Sequence, residues 1–358
     1  MNFDFKPQKM SAKAIVGAIV VSFVLGSLIL ALSGHNPLDV YGTMIDGSLM
    51  SRFSLASTIR WTKPLLFTGL AAAVALRGGM FNIGTEGQMF MGAFFSAWAG
   101  FTFHGLPPAV HIGLCLIAGA LGGALWALFP AVIRAYFGAS EMVMTLMLNY
   151  VATNLTDYLT RYHFLATGVQ GHSLITAEIA PEARFAKIWA DGSAHYGVVL
   201  GLICIALFWF MVHKTKFGYE LHICGVNPDF AKCGGVNVPA TRIRIMLLSG
   251  AIAGLAGATE VMGVVGRFMS GFSPDFGMDG MVVALMGNST PIGVLLGAFF
   301  LGIVKAGALQ VERVTDVSRS LAMVLQGLMV TFISCTYLAN MAFKRPKHKA
   351  DTGAEGGT

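Results

Sequence analysis

The sequence predicts an all-α integral membrane protein: a polytopic bundle of roughly ten transmembrane helices with two interrupted-helix regions. The first observation is a shortage of charge, because only 12% of the residues are charged, whereas a soluble protein has about a quarter. The second is that runs such as 14–33 and 198–211 carry no charge, and about 20 apolar residues cross a bilayer as a helix. The third is that these runs lack the alternation of polar and apolar residues found in membrane-spanning strands.

The order of apolar runs predicts the topology. An even number of spans places both termini on one side, and the lysines and arginines that flank the first and last runs make that side cytoplasmic by the positive-inside rule. The basic loop 213–244 then also lies inside. One transmembrane domain covers 1–343, and the polar segment 344–358 is predicted to be a disordered cytoplasmic tail. The predicted spans are 14–33, 64–76, 88–103, 110–133, 142–159, 196–212, 245–265, 281–286, 292–309 and 321–342.

Several functional classes find no support in the sequence. The five cysteines and nine histidines are scattered, without the spacing of a disulfide framework or a metal site. The net charge of +6 comes largely from basic flanks of apolar runs, which favours contact with a lipid bilayer and not with nucleic acid. No G-x-x-x-x-G-K-[ST] motif occurs. We therefore expect no catalytic residues, no metal and no bound nucleotide in this chain.

Two polar stretches interrupt the apolar sequence, and each contains a glycine, one further residue, an acid and a second glycine. They occur at 84–87 and at 277–280, and Gly-Ala-Phe-Phe follows each of them, at 92–95 and at 297–300. Five predicted spans lie between the two copies, and an odd number inverts one copy relative to the other. Glycine-interrupted helices at matching places in two halves indicate the substrate path of a transporter.

Polar side chains at membrane depth are candidates for function, because burying them in lipid is costly. The alternative is that the acids are structural groups at helix starts. The polar set is rich in amides and hydroxyls, which suits a neutral solute that forms hydrogen bonds, and only Arg77 adds a nearby positive charge. The candidate path residues are Asn82, Glu86, Gln88, Asn149, Asp275, Asp279 and Asn288.

The loop 213–244 contains the signals of one short helix. Asn227 is a favourable N-cap, Pro228 suits the first helical position, and the glycine pair 234–235 suits the end. The alternative is a plain amphipathic connector. The residues expected to contact a partner are Phe230 and Ala231.

Three motifs carry a family resemblance. They are F-N-I-G-T-E-G-Q at 81–88, the loop pattern T-x-x-G…G-x-N…A-x-x-x-G within 215–235, and F-G-x-D-G at 276–280. Together they resemble the permeases of bacterial ABC importers, the family that includes ribose, branched-chain amino-acid and nucleoside permeases. The resemblance runs from about residue 60 to 310, and the form at 81–88 is more similar to the nucleoside group than to the others.

The resemblance implies a transport subunit of the bacterial inner membrane. Its partners would be a cytoplasmic ABC ATPase that carries the ATP and magnesium, a second permease chain (homologous or identical), and an external substrate-binding protein. The loop pattern matches the coupling helix that seats on the ATPase in that family. The coupling residues so implied are Gly218, Gly225, Asn227, Pro228, Phe230, Ala231 and Gly235.

Other functions stay open at this point. An ion-coupled secondary transporter would use buried acids as carriers, and the candidates are Glu86, Asp157, Glu260 and Asp279. A permease for a sugar or a branched-chain amino acid is a second alternative. A membrane-embedded enzyme has the least support, because no nucleophile motif or paired carboxylates occur.

Overall fold

The computed structural model describes residues 12–167, 173–189 and 192–317, together with the single helical positions 321, 324, 327 and 328. Apart from those four positions, the predicted span 321–342 lies outside the described residues, and so does the predicted tail 344–358. Within the described ranges the chain is helical, and extended pairing is limited to isolated bridges such as that between Leu165 and Thr176. The prediction of an all-α protein is confirmed for this part of the chain.

Twelve α-helices form the described part of the bundle, α2 and α10 ending in a π-helical turn. They are α1 (Ala12–Leu32), α2 (Pro37–Ile45), α3 (Arg52–Arg77), α4 (Thr85–Thr102), α5 (Pro108–Phe137), α6 (Glu141–His163), α7 (Gly197–Lys214), α8 (Lys216–Val226), α9 (Pro228–Cys233), α10 (Val238–Glu260), α11 (Phe276–Met286) and α12 (Pro291–Val314).

Four of the described helices are long and apolar enough to cross a membrane by length and composition alone: α5, α7, α12, and α10 with its π-helical turn. The helices α3, α4 and α6 have at least 18 residues each, but do not meet the same standard of composition. Length and composition thus establish four spans, and the total of ten stays a prediction.

Helix α3 is the buried centre of the bundle. It is longer than the predicted span 64–76, because the helix begins at Arg52, capped by the side chain of Ser51, and continues through Pro64. Every side chain from Thr62 to Leu76 is buried. Helices α10, α11 and α12 pack around it. The helix that leads directly into the first interrupted region therefore lies in the interior of the bundle.

Helix α5 exposes one apolar face. Its exposed large side chains recur every fourth residue, at Ile117, Leu121, Leu125 and Phe129. Positions four apart lie on the same side of a helix, and an exposed apolar stripe of this kind is what contact with lipid requires.

Glycines join α4, α5 and α10 by their backbones. A Cβ on Gly254 would overlap the carbonyl oxygen of Gly119, and one on Gly92 would overlap the backbone of Gly254. A Cβ on Gly123 would overlap the carbonyl oxygen of Gly250. Small residues at this spacing let membrane helices approach closely. Three helices are thereby packed with no side chain between them.

The 164–196 loop and the connection between α7 and α10 lie at opposite ends of the bundle. The Ala180 N–H donates a hydrogen bond to the carbonyl of Gly100, near the end of α4 (2.9 Å). Gly225 instead contacts the carbonyl of Arg77, at the end of α3. Helix α7 joins these ends, and its 18 residues rise about 27 Å. The 164–196 loop and the connection between α7 and α10 therefore lie at opposite ends of α7.

The segment between α7 and α10, which we call the coupling loop after its predicted role, differs from its predicted boundaries and content. Helix α7 continues to Lys214, and α10 begins at Val238 because the Asn237 side chain caps it (3.1 Å to the Ala240 N–H). The connection is therefore 215–237 and not 213–244. It also contains a helix that the sequence analysis missed, α8, which begins where the Thr215 hydroxyl accepts from the Gly218 N–H (3.1 Å).

Candidate functional site

The two interrupted regions meet in the folded chain. Helix α4 begins at Thr85 and helix α11 begins at Phe276. The Thr85 hydroxyl donates to the carbonyl of Gly277 (3.0 Å), and the Gly277 N–H donates to the Glu86 carboxylate. A Cβ at position 277 would overlap the backbone nitrogen of Glu86. The N-termini of the two helices therefore touch, at what we call the α4–α11 junction (Thr85, Glu86, Phe276, Gly277).

The junction lies beside α3, and the two helices leave it in opposite directions. The Thr68 hydroxyl donates to the carbonyl of Phe276 (2.9 Å). Helix α4 ends near the 164–196 loop. Helix α11 ends at a turn where Gly287 meets Gly293, next to the part of α12 that packs on Gly69. Opposite directions from one point are what an inverted pair of interrupted helices would give.

Three of the candidate path residues hold the backbone of the turn that precedes α4. The amide nitrogen of Asn82 donates to Gln88 (2.9 Å) and to Ser249 (2.8 Å), while its oxygen accepts from the Gly84 N–H (3.0 Å). Asn149 accepts from the Gly87 N–H (2.8 Å) and donates to the carbonyl of Ile83 (3.0 Å). All three candidates, Asn82, Gln88 and Asn149, are buried. Their hydrogen bonds position the turn.

Asp279 forms an ion pair inside the bundle. Its carboxylate lies 2.7 Å from the ammonium of Lys305 on α12, and both side chains are largely buried. The pair connects α11 to α12 one turn beyond the α4–α11 junction. Because each charge has its partner, the pair is neutral as a unit.

Asp275 and Asn288 lie at opposite ends of α11. Asp275 is exposed beside the junction and has a left-handed backbone (φ 61°). Asn288 and Ser289 have the same conformation (φ 50° and 51°) in the turn before α12. The 11 residues of α11 separate these sites by about 16 Å. Asp275 therefore belongs to the junction, and Asn288 does not.

A buried charged cluster escaped the sequence analysis. Lys63 and Glu260 are 1% and 2% exposed, and their charged atoms are 2.9 Å apart. The Lys63 ammonium also donates to the carbonyl of Thr259 (3.2 Å) and lies 2.6 Å from Nε2 of His195. The ring of His195 stacks on Phe185 at 5.6 Å. This cluster connects α3 and α10 to the 164–196 loop; the sequence singled out Glu260 as a buried acid but did not indicate Lys63 or His195 as its neighbours.

The 164–196 loop has a second electrostatic attachment. Glu178 accepts from Arg184 (2.7 Å) and pairs with Arg267, which follows the π-helical turn of α10. The hydrogen bond from Arg184 and the charge of Arg267 lower the pKa of the Glu178 carboxyl. The 164–196 loop is therefore held to the end of α10 by ion pairs as well as by packing.

The coupling loop contains the short helix that the sequence indicates, α9. The Asn227 side chain accepts from the N–H groups of Asp229 (3.1 Å) and Phe230 (3.0 Å). Pro228 begins the helix, and Gly235 follows it with φ 77°.

The two side chains expected to meet a partner differ in exposure. Phe230 is 62% exposed, whereas Ala231 is 1% exposed and packs with Cys224 and Val238. The prediction that Ala231 is available for contact is therefore wrong for this conformation, because the residue faces the inside of the loop.

Two glycines of the coupling loop lie against the ends of the long helices. A Cβ on Gly218 would overlap the carbonyl of Met211 on α7, and one on Gly225 would overlap the carbonyl of Arg77 on α3. Gly79, which has φ 69°, faces Gly225 across this contact. The coupling loop thus touches the segment that leads into the α4–α11 junction.

A cavity of about 740 Å³ opens between the coupling loop and the α5–α6 connection. An ion pair between Arg134 and Glu141 (2.9 Å) spans that connection. Phe81, whose N–H donates to Glu141 (3.3 Å), also lines the cavity. The cavity lies beside α9 and so borders the expected partner surface.

In the described part of the chain, no group of three histidine, cysteine or acidic side chains is placed to hold a metal ion. The site consists of helix N-termini, amides, ion pairs and aromatic rings. Such an arrangement can guide a polar solute.

Comparison with known proteins adds a family and several relatives. A family model described as branched-chain amino acid transport system / permease component matches residues 54–334. A guanosine ABC transporter permease protein of Bacillus subtilis is 31% identical, over 93% of this chain and 95% of its own length. A nucleoside ABC transporter permease protein of Lactococcus lactis is 30% identical, over 94% of each chain. A glucose ABC transporter permease protein of Haloferax volcanii is 29% identical, over 95% of this chain and 92% of its own.

Proposed function

The chain belongs to the branched-chain amino acid transport system / permease component family, and from that premise we propose which solute it moves and how. As a member it is a multi-pass transport subunit whose ATPase is a separate chain. The proposal is that it moves nucleosides, or related small polar ring compounds, inward across the bacterial inner membrane. Roughly ten spans, cytoplasmic termini, a second permease chain and an external binding protein are parts of the same proposal.

The observation that carries the proposal is the α4–α11 junction. Two helices interrupted at matching motifs meet there N-terminus to N-terminus. Backbone that is not helical is tolerated at membrane depth only against protein or a water-filled cavity, and broken helices mark the binding region in many transporters. We assign the solute path to this junction and to Asp275 beside it. Asn82, Gln88 and Asn149 then act by positioning the turn.

Relatives support a nucleoside as the solute. Those from Bacillus subtilis and Lactococcus lactis are described as guanosine and nucleoside permeases. The polar groups at the junction also suit a neutral compound, because Asp279 is neutralised by Lys305. A sugar is the second candidate, and the relative from Haloferax volcanii, described as a glucose permease, favours it.

Internal pairing of three of the four candidate acids argues against an ion-coupled mechanism; the fourth, Asp157, has a buried Oδ1 without a hydrogen-bond partner among the described residues. Such a carrier needs a carboxylate that is free to bind and release a cation. Glu260 is paired with Lys63, Asp279 with Lys305, and Glu86 accepts the Gly277 N–H. Each of these groups already has a counter-charge or a donor.

The test is uptake in proteoliposomes that contain this chain, its partner permease, the ATPase and the binding protein. Labelled guanosine should accumulate against its gradient only when the ATPase and ATP are present. Labelled glucose is the comparison solute, and it should accumulate far more slowly.

Two results would contradict different parts of this proposal. Accumulation of guanosine without the ATPase, driven by a proton or sodium gradient, would overturn the ATP-powered mechanism. Accumulation of glucose but not of guanosine would overturn the choice of solute and leave the importer standing.

A further inference from the structure

An aromatic and charged cluster adjoins the α4–α11 junction. Trp61 on α3 lies 5.6 Å from Phe276 between ring centroids, at an angle of 57°. The ammonium of Lys305 lies 5.4 Å from the centre of the Trp61 ring and 6.0 Å from that of Phe276. With Asp279, which pairs with Lys305, these residues form what we call the Trp61 cluster (Trp61, Phe276, Asp279, Lys305). Three helices thus bring two rings and one ion pair to the start of α11.

The indole N–H of Trp61 is buried and has no hydrogen-bond partner among the described residues. A buried donor without an acceptor costs about 1–3 kcal/mol, and a bound solute that brings an acceptor would remove that cost. The ring itself is only partly buried. The Trp61 cluster therefore offers a ring and an unused donor beside the junction.

Nearby cations fix the orientation of this ring. Arg60 places its guanidinium 5.1 Å from the ring centre, in addition to the ammonium of Lys305. A cation over an indole contributes about 0.5–2 kcal/mol, depending on its solvation. Lys305 is in turn held by Asp279 at 2.7 Å. An indole held on several sides is preorganised to receive a flat ring.

We propose that Trp61 contacts a nucleoside during passage, its ring stacking on the base while its indole N–H, which lies in the plane of the ring, donates to a hydroxyl oxygen of the ribose. This inference rests on the proposed function and deepens it. The chemistry fits because a base has apolar faces above and below its plane, and the ribose carries hydroxyl oxygens that accept hydrogen bonds. Stacking of a base on an aromatic side chain contributes about 1–3 kcal/mol. Trp61 is then a specificity-determining residue, and Phe276 supports it.

The experiment compares Trp61→Phe and Trp61→Leu in the reconstituted importer. Phenylalanine keeps a ring and removes the donor, so the guanosine concentration for half-maximal uptake should rise about five- to tenfold. Leucine also removes the stacking surface, so the rise should be larger still. Trp209→Phe is the matched control, because Trp209 is exposed on α7, away from the junction, and its uptake kinetics should equal those of the unmodified protein.

A second measurement does not depend on the activity of the variants. In a chain whose other four tryptophans are replaced by phenylalanine, guanosine should change the fluorescence of Trp61 in the assembled complex.

The outcomes separate this inference from the proposed function. Guanosine uptake by the unmodified importer with unaltered kinetics in Trp61→Phe would overturn the Trp61 contact alone. Unaltered fluorescence of the single tryptophan at concentrations that saturate uptake would do the same. An unmodified importer that takes up glucose but not guanosine would overturn the nucleoside as solute and the contact together.

Discussion

Among the described residues Lys63 is the most completely buried charged side chain, and its ammonium has three possible acceptors. The acceptors are Glu260, the carbonyl of Thr259 and Nε2 of His195. Nδ1 of His195 also lies 3.1 Å from the N–H of Gly197. A neutral imidazole has one acceptor nitrogen. Only one of the two donors, the Lys63 ammonium or the Gly197 N–H, can therefore donate to this ring at a time. The Lys63 ammonium therefore has all three acceptors only in the tautomer whose proton is on Nδ1 of His195.

Substitution of Lys63 should destabilise the protein strongly. Lys63→Met leaves the Glu260 carboxylate buried without its counter-charge, and loss of one partner of a buried pair costs about 3–5 kcal/mol. Thermal unfolding in detergent, followed with a thiol-reactive dye, measures the effect because Cys115 and Cys224 are buried. Lys63→Met should lower the melting temperature by many degrees.

The double variant Lys63→Met/Glu260→Met is the control for that experiment. It removes both charges together, so it should recover much of the lost stability. Equal melting temperatures for Lys63→Met and the unmodified protein would show that the Glu260 charge is stabilised by something other than Lys63.

Among the elements, α8 and α9 make the coupling loop a two-helix unit, and each presents one exposed aromatic side chain. Phe230 lies on α9 and Tyr219 on α8, and both are about 60% exposed. The family resemblance assigns the ATPase contact to α9. The pair therefore allows the two helices to be tested by the same substitution.

Phe230→Asp should abolish assembly with the ATPase. The substitution places a charge in a packed interface, where an unpaired buried charge is costly, and it leaves the inward-facing Ala231 undisturbed. Co-purification of the ATPase with the permease measures the effect. Tyr219→Asp is the matched control and should retain the ATPase. Loss of the ATPase in Tyr219→Asp but not in Phe230→Asp would move the docking surface to α8.

Sequence patterns predicted the elements better than their contacts. Asn227, Pro228 and Gly235 are local signals, and they located α9 to the residue. The matching motifs also indicated the two helix starts that meet at the junction. Lys63 and Trp61 gave no such signal, because their partners Glu260 and Phe276 are about 200 positions away in the sequence. Asn82 and Asn149 were singled out as polar, but only the fold shows that their hydrogen bonds are internal.

At the scale of the whole molecule, α4, α5 and α10 form a body joined through glycines. In contrast, α11 meets this body mainly at the junction. Gly293 and Gly297 have the same four-residue spacing as Gly250 and Gly254, but they do not extend the body. Gly293 lies against Gly287 in its own turn, and Gly297 faces Val283 of α11.

Gly254→Ala should destabilise the whole protein. The new methyl group would overlap the backbone carbonyl of Gly119, and overpacking of this kind costs about 1–3 kcal/mol. Gly113→Ala on α5 is the matched control, because a Cβ there meets nothing within 4 Å, and alanine gains about 1 kcal/mol over glycine in a helix. The two variants should shift the melting temperature in opposite directions. A Gly254→Ala protein as stable as Gly113→Ala would mean that α5 and α10 can separate without cost.

The contact between Gly225 and the end of α3 has a consequence for the mechanics of the subunit. Two backbones touch there, at the carbonyl of Arg77 and at Gly79, and no side chain lies between them to change its rotamer and absorb a displacement. The contact therefore has low compliance. A shift of the coupling loop by a fraction of an ångström must displace the turn before α4 by a similar amount, and that turn ends at Gly84, immediately before the α4–α11 junction. In the proposed importer, the stiffness of this one glycine contact would set how much of an ATPase-driven displacement reaches the α4–α11 junction.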